Sequence, residues 1–251
     1  IYGFRGADVN AIPNLIDALN ATQLPLSICY RCPKSHLRLA QEIVPEIEWR
    51  EDAPEGIVET IAESAFLNRV QQGDMVICRT NAPLVGPAFE LIRRGIKAVI
   101  IGRDIGKGLT GLLRKIEKRY HATTLSDTLR ALNDYTMREV AKLTAADKGT
   151  QAQSLQDQCE TLIALSDGCQ FIEDIEAKVN AVFADDVKGI AFSSIHRAKG
   201  LEAERVFLLH PELLPHPMAK RDWERQQESN LKYVSLTRAK AELYFVTPEE
   251  K

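Results

Sequence analysis

The sequence predicts an α/β fold: a mostly parallel sheet flanked by helices, with an all-helical insertion. Three observations carry this reading. Short apolar strand-like runs alternate with helical stretches between residues 24 and 102. Only helical periodicity is found from about 104 to 186, and the strand rhythm resumes from 187 to the end. Repeated strand-helix units with short apolar strands imply parallel pairing with helices on both faces, and a helical block interrupting such a series reads as an insertion into one sheet.

Taken in order, "LPLSICY" (24–30) reads as a strand, and "PKSHLRLAQEIV" (33–44) as a helix with proline in its first turn. "GIVETI" (56–61) is a second strand, followed by a short helix, "ESAFLNRVQQG", ending at Gly73. "DMVICRT" (74–80) is an uninterrupted apolar strand, and Asn81 reads as the N-cap of "APLVGPAFELIRRG", which has basic residues in its last turn and Gly95 just beyond. "IKAVIIG" (96–102) is a fourth strand. The helical block comprises "LTGLLRKIEKRYH", "TLSDTLRALNDYTMREVAKL", "QSLQDQCETLIALSDG" and "FIEDIEAKVNAVF". Then come the strands "GIAFSSIH" (189–196) and "RVFLLH" (205–210), a helix over roughly 222–240, and "AELYFVT" (241–247). The two flanks are expected to share one sheet.

At 251 residues, 45% hydrophobic and 27% charged, the chain can bury a sizeable core. Its net charge of -3 gives no global cationic field, so a polyanion would have to be held by local clusters. No leader-like start or bilayer-length apolar run is present, and a cytoplasmic protein is expected. The five cysteines suggest reduced core thiols rather than a disulfide framework. Cys29 and Cys32 form a C-x-x-C without a second ligand pair or a thioredoxin-like context, and read as buried thiols at a strand end.

"GRDIGKGLTG" (102–111) looks like a phosphate-binding loop, but its first glycine is one residue too close to Gly106, and Gly108 stands where a hydroxyl residue is needed. It reads instead as a flexible exit into the insertion. No acidic pair follows an apolar strand to hold magnesium, so the core of a nucleotide hydrolase is missing. "SSIHRAKGLEAERVFLL" (193–209) reads as a polar loop between two strands, rich in donors for phosphate, around Gly200. "NLKYVSLTRAKAELYFV" (230–246) carries Thr237, Arg238 and Lys240 at a helix-strand junction, where basic residues ordinarily complement the helix dipole. "CYRCP" (29–33) sets Tyr30 and Arg31 after a strand, where an open sheet would present them at its carboxyl edge. An arginine there can fork onto phosphate and an aromatic ring can stack on a base.

Together and in this order, "IYGFRGAD", "YRCP", "SIHRAKGLE" and "YVSLTRAK" resemble motifs III, IV, V and VI of the UvrD/Rep-like superfamily 1 DNA helicases. The resemblance implies a RecA-like second domain (21–103 and 187–251), a helical insertion (104–186), and a remnant of the first RecA-like domain (1–20). It implies ATP with magnesium as cofactor, with Arg31 and Arg238 as arginine fingers, Tyr30 on adenine, Glu202 on the ribose and Gly200 allowing close approach. It makes Ser194 and His196 contacts to DNA, and Tyr2, Phe4 and Arg5 a strip on which bases stack. Guanidinium groups delivered across a closing cleft stabilise phosphoryl transfer, and aromatic stacking tolerates any base sequence. The implied partners are single-stranded DNA, duplex junctions and the first RecA-like domain of the same chain.

The sequence departs from the family pattern in having Ser194 for a commoner threonine, Phe4 for a commoner tryptophan, and an insertion of only about 80 residues. The resemblance places the start of the chain inside motif III, without the magnesium-binding acids and P-loop lysine of the first domain. The expected parent is an ATP-dependent DNA helicase, translocating 3' to 5', and these residues alone are expected to be inactive. The alternative is a non-catalytic, helicase-derived module that binds DNA or a partner.

Overall fold

The computed structural model describes residues 10–24, 26–184 and 189–249. Its elements in chain order are α1 (Ala11–Leu19), β1 (Ile28–Cys29), α2 (Lys34–Gln41), β2 (Glu48–Trp49), β3 (Ile57–Ala62), α3 (Glu63–Arg69), β4 (Met75–Cys78), α4 (Ala82–Arg93) and β5 (Ala98–Ile101). Four helices follow, α5 (Arg103–Tyr120), α6 (Leu125–Ala145), α7 (Gly149–Ser166) and α8 (Ile172–Val182). The remainder is β6 (Phe183–Ala184), β7 (Ile190–Ser194), α9 (Ile195–Ala198), β8 (Ala203–Leu209), α10 (Asp222–Leu236) and β9 (Ala239–Thr247).

Strands from both sides of the helical block join one seven-stranded sheet in the order β3-β9-β8-β4-β7-β5-β6, with every pairing parallel. The protein therefore has the α/β fold that the alternating pattern predicts. All four residues of β4, at the centre, are buried, as an unbroken apolar run on a central parallel strand requires. On one face Phe207 stacks on Tyr244 at 4.7 Å and meets the edge of Phe66 at 5.4 Å, tying α3 to β8 and β9. The insertion continues this core: Leu109, Leu113 and Ile116 of α5 and Leu162 and Leu165 of α7 are buried with Leu84, Ala88 and Leu91 of α4.

Several sequence expectations are corrected. Of the strand read at 24–30, only Ile28–Cys29 pairs, with β2 and outside the main sheet; Leu24 and Leu26 alternate like a strand but lie exposed, with no core to face. The 102–111 stretch is no flexible exit, because α5 begins at Arg103 and its Gly106 packs against Phe183 and Val179. The end of the helical block closes with β6, a strand hidden in helical periodicity. Asn81 makes no side-chain cap to α4; Asp157, from α7, accepts its backbone N–H at 2.8 Å and its amide at 2.5 Å. Tertiary structure thus supplies the cap that the local sequence lacks.

Candidate functional site

Two polar clusters occupy opposite ends of the sheet. The first lies at the amino ends of β8 and β9. Arg31, in the bend after β1, donates from Nε to Glu202 Oε2 at 2.5 Å and from a terminal nitrogen to the Thr237 carbonyl at 3.2 Å. Glu202 immediately precedes β8 and Thr237 caps α10 just ahead of β9, so Arg31 reaches both strand starts. It therefore does not sit at the carboxyl edge that the "CYRCP" reading expects, because β1 never enters the main sheet. Lys240 Nζ holds the other Glu202 oxygen at 2.7 Å, and the two cations keep the carboxyl below its ordinary range through these hydrogen bonds.

Arg238 is buried beside this group. Its nitrogens donate to the carbonyls of Val234 at 3.0 Å and Leu201 at 3.2 Å, and to Thr237 Oγ1 at 3.0 Å. Burial lowers its pKa, and the nearby Arg31 charge adds to that. Tyr30 is 71% exposed, its ring open to solvent, and Gly200 has positive φ with open space around it. Arg31, Arg238 and Lys240 outnumber Glu202, and an exposed aromatic flanks them. This donor set suits a phosphate-bearing aromatic ligand. Magnesium is another matter: among the described residues no three His, Cys, Asp or Glu side chains converge as metal ligands.

Local sequence explains how the Arg31 bend is placed. Gly56 has φ +74°, and a Cβ there would collide with Pro33 at the start of α2. Lys34 and Ser35 donate their backbone N–H groups to the carbonyls of Pro54 and Glu55 at 2.9 and 3.0 Å, fixing α2 to the approach to β3.

The second cluster is a cleft of about 350 Å³ at the carboxyl ends of β4 and β7, roofed by α7 and α10. Ser194 and His196 line it; they belong to the end of β7 and the one-turn helix α9, rather than to a polar loop. Opposite lies Arg79, which sequence reasoning missed. Its guanidinium forks onto Glu228 of α10 with contacts of 2.6, 2.9 and 3.1 Å, and the two side chains are only 8% and 5% exposed. Glu228 also accepts the His216 backbone N–H at 2.9 Å. Burial pushes the Glu228 carboxyl up, but Arg79 outweighs it and holds the group below the usual carboxylate range. Burial, reinforced by Arg79, brings His196 down to about 4, and burial likewise lowers His216. Both rings are therefore neutral at pH 7. In the same wall Asn81 leaves Oδ1 without a partner among the described residues. Nothing in the apolar strand "DMVICRT" marked Arg79 as a site residue; the signal that could have found it is a lone arginine directly after a central parallel strand.

Tyr2, Phe4 and Arg5 lie outside the described residues. One short segment, 194–202, joins the two clusters: Ser194 and His196 line the cleft, and Glu202 closes the first group at the start of β8.

Residues 113–250 match the family model described as the UvrD-like helicase C-terminal domain. Similar curated proteins are the ATP-dependent DNA helicases PcrA of Staphylococcus aureus strains Mu50 and NCTC 8325, each 37% identical over 79 residues, which is 30% of this chain. The chain spans 11% of the length of these relatives. Among solved structures, the C-terminal domain of a "possible DNA helicase" from Lactobacillus plantarum WCFS1 covers 87% of each chain at 14% identity, with a TM-score of 0.38. The family model takes in more than half of the sequence, including all of β7, β8, β9 and α10, and the chain belongs to the UvrD-like helicase C-terminal domain family.

Proposed function

We propose that this chain is the second motor domain of an ATP-dependent DNA helicase, holding single-stranded DNA in the Ser194/His196 cleft and closing on ATP with the Arg31/Arg238 group. The observation that carries the reading is the 194–202 segment, which starts in one cluster and ends in the other. The segment crosses the height of the sheet, which the seven-residue β8 that follows it spans in roughly 20 Å at about 3.3 Å per step. A shift of Glu202 on nucleotide binding would be passed along this segment to the strand contact.

The donor set at the amino end fits a nucleotide phosphate, with Tyr30 positioned to stack on a base. When bound, ATP supplies the phosphoryl group whose transfer drives the cycle. Arg31 and Arg238 would leave Glu202 and the internal carbonyls to meet the phosphate, and the magnesium ligands would come from the first RecA-like domain of the same protein. The cleft supports a polar backbone ligand through Ser194, His196 and the unpartnered acceptor of Asn81. A further support for a partnering domain is α1, whose Ile12, Leu15 and Leu19 share one apolar face and are all exposed. We assign residues 1–20 to the first domain, 21–103 and 187–251 to the second and 104–186 to the insertion. Translocation from 3' to 5' follows from the family pattern, and a cytoplasmic setting goes with it.

In the full-length protein, Arg238→Ala is expected to lose most DNA-stimulated ATP hydrolysis while retaining single-stranded DNA binding. An arginine finger contributes on the order of 10³ to 10⁵ in rate in other nucleotide hydrolases. Hydrolysis unchanged by Arg238→Ala would refute the finger role, and absence of any hydrolysis by the intact protein would favour a non-catalytic module.

A further inference from the structure

Trp223 belongs to none of the four motifs, yet it lines the Ser194/His196 cleft while remaining 43% exposed. Among the described residues no hydrogen bond, ring or cation engages its indole. Its place is nevertheless fixed from both sides. Glu224, buried next to it, accepts the backbone N–H groups of Lys220 and Arg221 at 2.9 and 3.0 Å and so closes the first turn of α10. Arg221 is ion-paired with Asp147, in the turn before α7. The start of α7 lies so near that a Cβ on Gly149 would stand 2.8 Å from Glu224 Oε1. Trp223 is therefore carried on a braced turn at the rim where α10 meets α7.

We propose that Trp223 is the stacking platform on which this cleft seats one unpaired base of a DNA single strand. The inference rests on the proposed function, since it takes the cleft to be the strand site. The carboxylates of the lining are already engaged, Glu228 by Arg79, Asp157 by Asn81 and Glu224 by its own turn. Arg197, which is paired with Asp104, and Lys199 line the same cleft and supply positive charge for the phosphates. Gln227, one helical turn beyond Trp223 on the same side of α10, also lines it and brings an amide that both donates and accepts, as the edge of any base requires. At about 350 Å³ the cleft is near the small end of the ordinary range for ligand sites, about 300–1,000 Å³, and takes one base rather than a base pair. Every base has a face to lay on an indole, so the requirement is for a base that is free of its partner and not for a sequence. A paired base in the interior of a duplex has both faces covered and is refused.

The chain has two tryptophans, and the other, Trp49, packs beside α2 with the Arg38 guanidinium 5.9 Å from its ring centre. Trp49→Phe therefore leaves Trp223 as the sole indole emitter. This chain is titrated at low salt with a short oligodeoxythymidylate and with an abasic strand of the same length, which carries the same phosphates without bases. Anisotropy of an end-labelled strand reads binding, and tryptophan emission with unlabelled strand reads stacking. The thymidylate is expected to quench Trp223 saturably and to bind about tenfold tighter than the abasic strand. Trp223→Ala is expected to weaken thymidylate binding by about 5- to 150-fold and to leave the abasic strand unaffected. Trp223→Phe keeps a ring and is expected to retain most of the affinity. Thymidylate that binds without changing the emission overturns the stack and leaves the strand-binding reading standing, as does equal affinity for the two strands. Failure of both strands to bind overturns both. The emission arm needs no change at Trp223, so it decides the matter even where Trp223→Ala folds poorly.

Discussion

Replacing Glu228 by glutamine removes one charge from the cleft and leaves its shape almost unchanged. The Arg79 guanidinium then stays in a wall where it is 8% exposed, keeping the Gln153 oxygen at 3.3 Å and a neutral amide where a carboxylate accepted three contacts of 2.6 to 3.1 Å. An unpaired charge at such depth destabilises by about 3–5 kcal/mol. In urea this moves the unfolding midpoint down by roughly 1–2 M at an m-value of about 2–3 kcal/mol per M. The double change Arg79→Met/Glu228→Leu removes both charges and is expected to recover most of the loss, since a buried pair repays its desolvation only when both members are present. The measurement is a double-mutant cycle of Arg79→Met and Glu228→Leu by urea unfolding at pH 7, with Glu228→Gln measured beside it and fluorescence and circular dichroism required to give coincident transitions. A loss below about 1 kcal/mol for Glu228→Gln, the size expected of an exposed pair, would refute the burial argument. So would a double variant as unstable as the sum of the two single ones.

Acidification should weaken the protein from pH 6.5 downward. His196 has a folded pKa of about 4, so between these values the unfolded chain binds more protons and stability falls as pH falls. The loss should approach about 2 kcal/mol by pH 5, measured by urea unfolding across pH; a His196→Gln variant with the same slope would remove His196 as its source. Gly56→Ala combines positive φ with a clash on Pro33, and is expected to cost roughly 1–3 kcal/mol; a melting temperature unchanged within error contradicts this. Asp157→Ala strips α4 of its cap and leaves Asn81 without a partner for its buried amide. A loss of about 2 kcal/mol is expected, with faster hydrogen exchange at the first turn of α4; exchange unchanged there would place the cap elsewhere.

Much of the architecture was legible in the sequence because it rests on local periodicity. The unbroken apolar run of β4, the alternation of strands with helices and the 3.6-residue rhythm from α5 to α8 are properties of consecutive residues. Burial then only has to respect them. Asn81, Leu24 and Leu26 mark where this reasoning ends. A good capping residue and an alternating apolar segment behave as their types suggest only when no distant group competes and a core is within reach. Asp157 competes for Asn81 from 76 positions away, and Leu24 and Leu26 have no core to enter.

The candidate site divides along the same line. By itself the sequence nominated candidate side chains, through the resemblance of its motifs: Tyr30, Arg31, Glu202 and Arg238 for one ligand, Ser194 and His196 for another. Residue type and motif order are enough for that. Only the tertiary structure decided that Arg31 meets Glu202 across 171 positions at the amino ends of β8 and β9, and that Arg79 is locked onto Glu228. These are matters of distance, and hydrogen bonds and ion pairs form or fail within a few ångströms, which the spacing of residues along a chain does not fix.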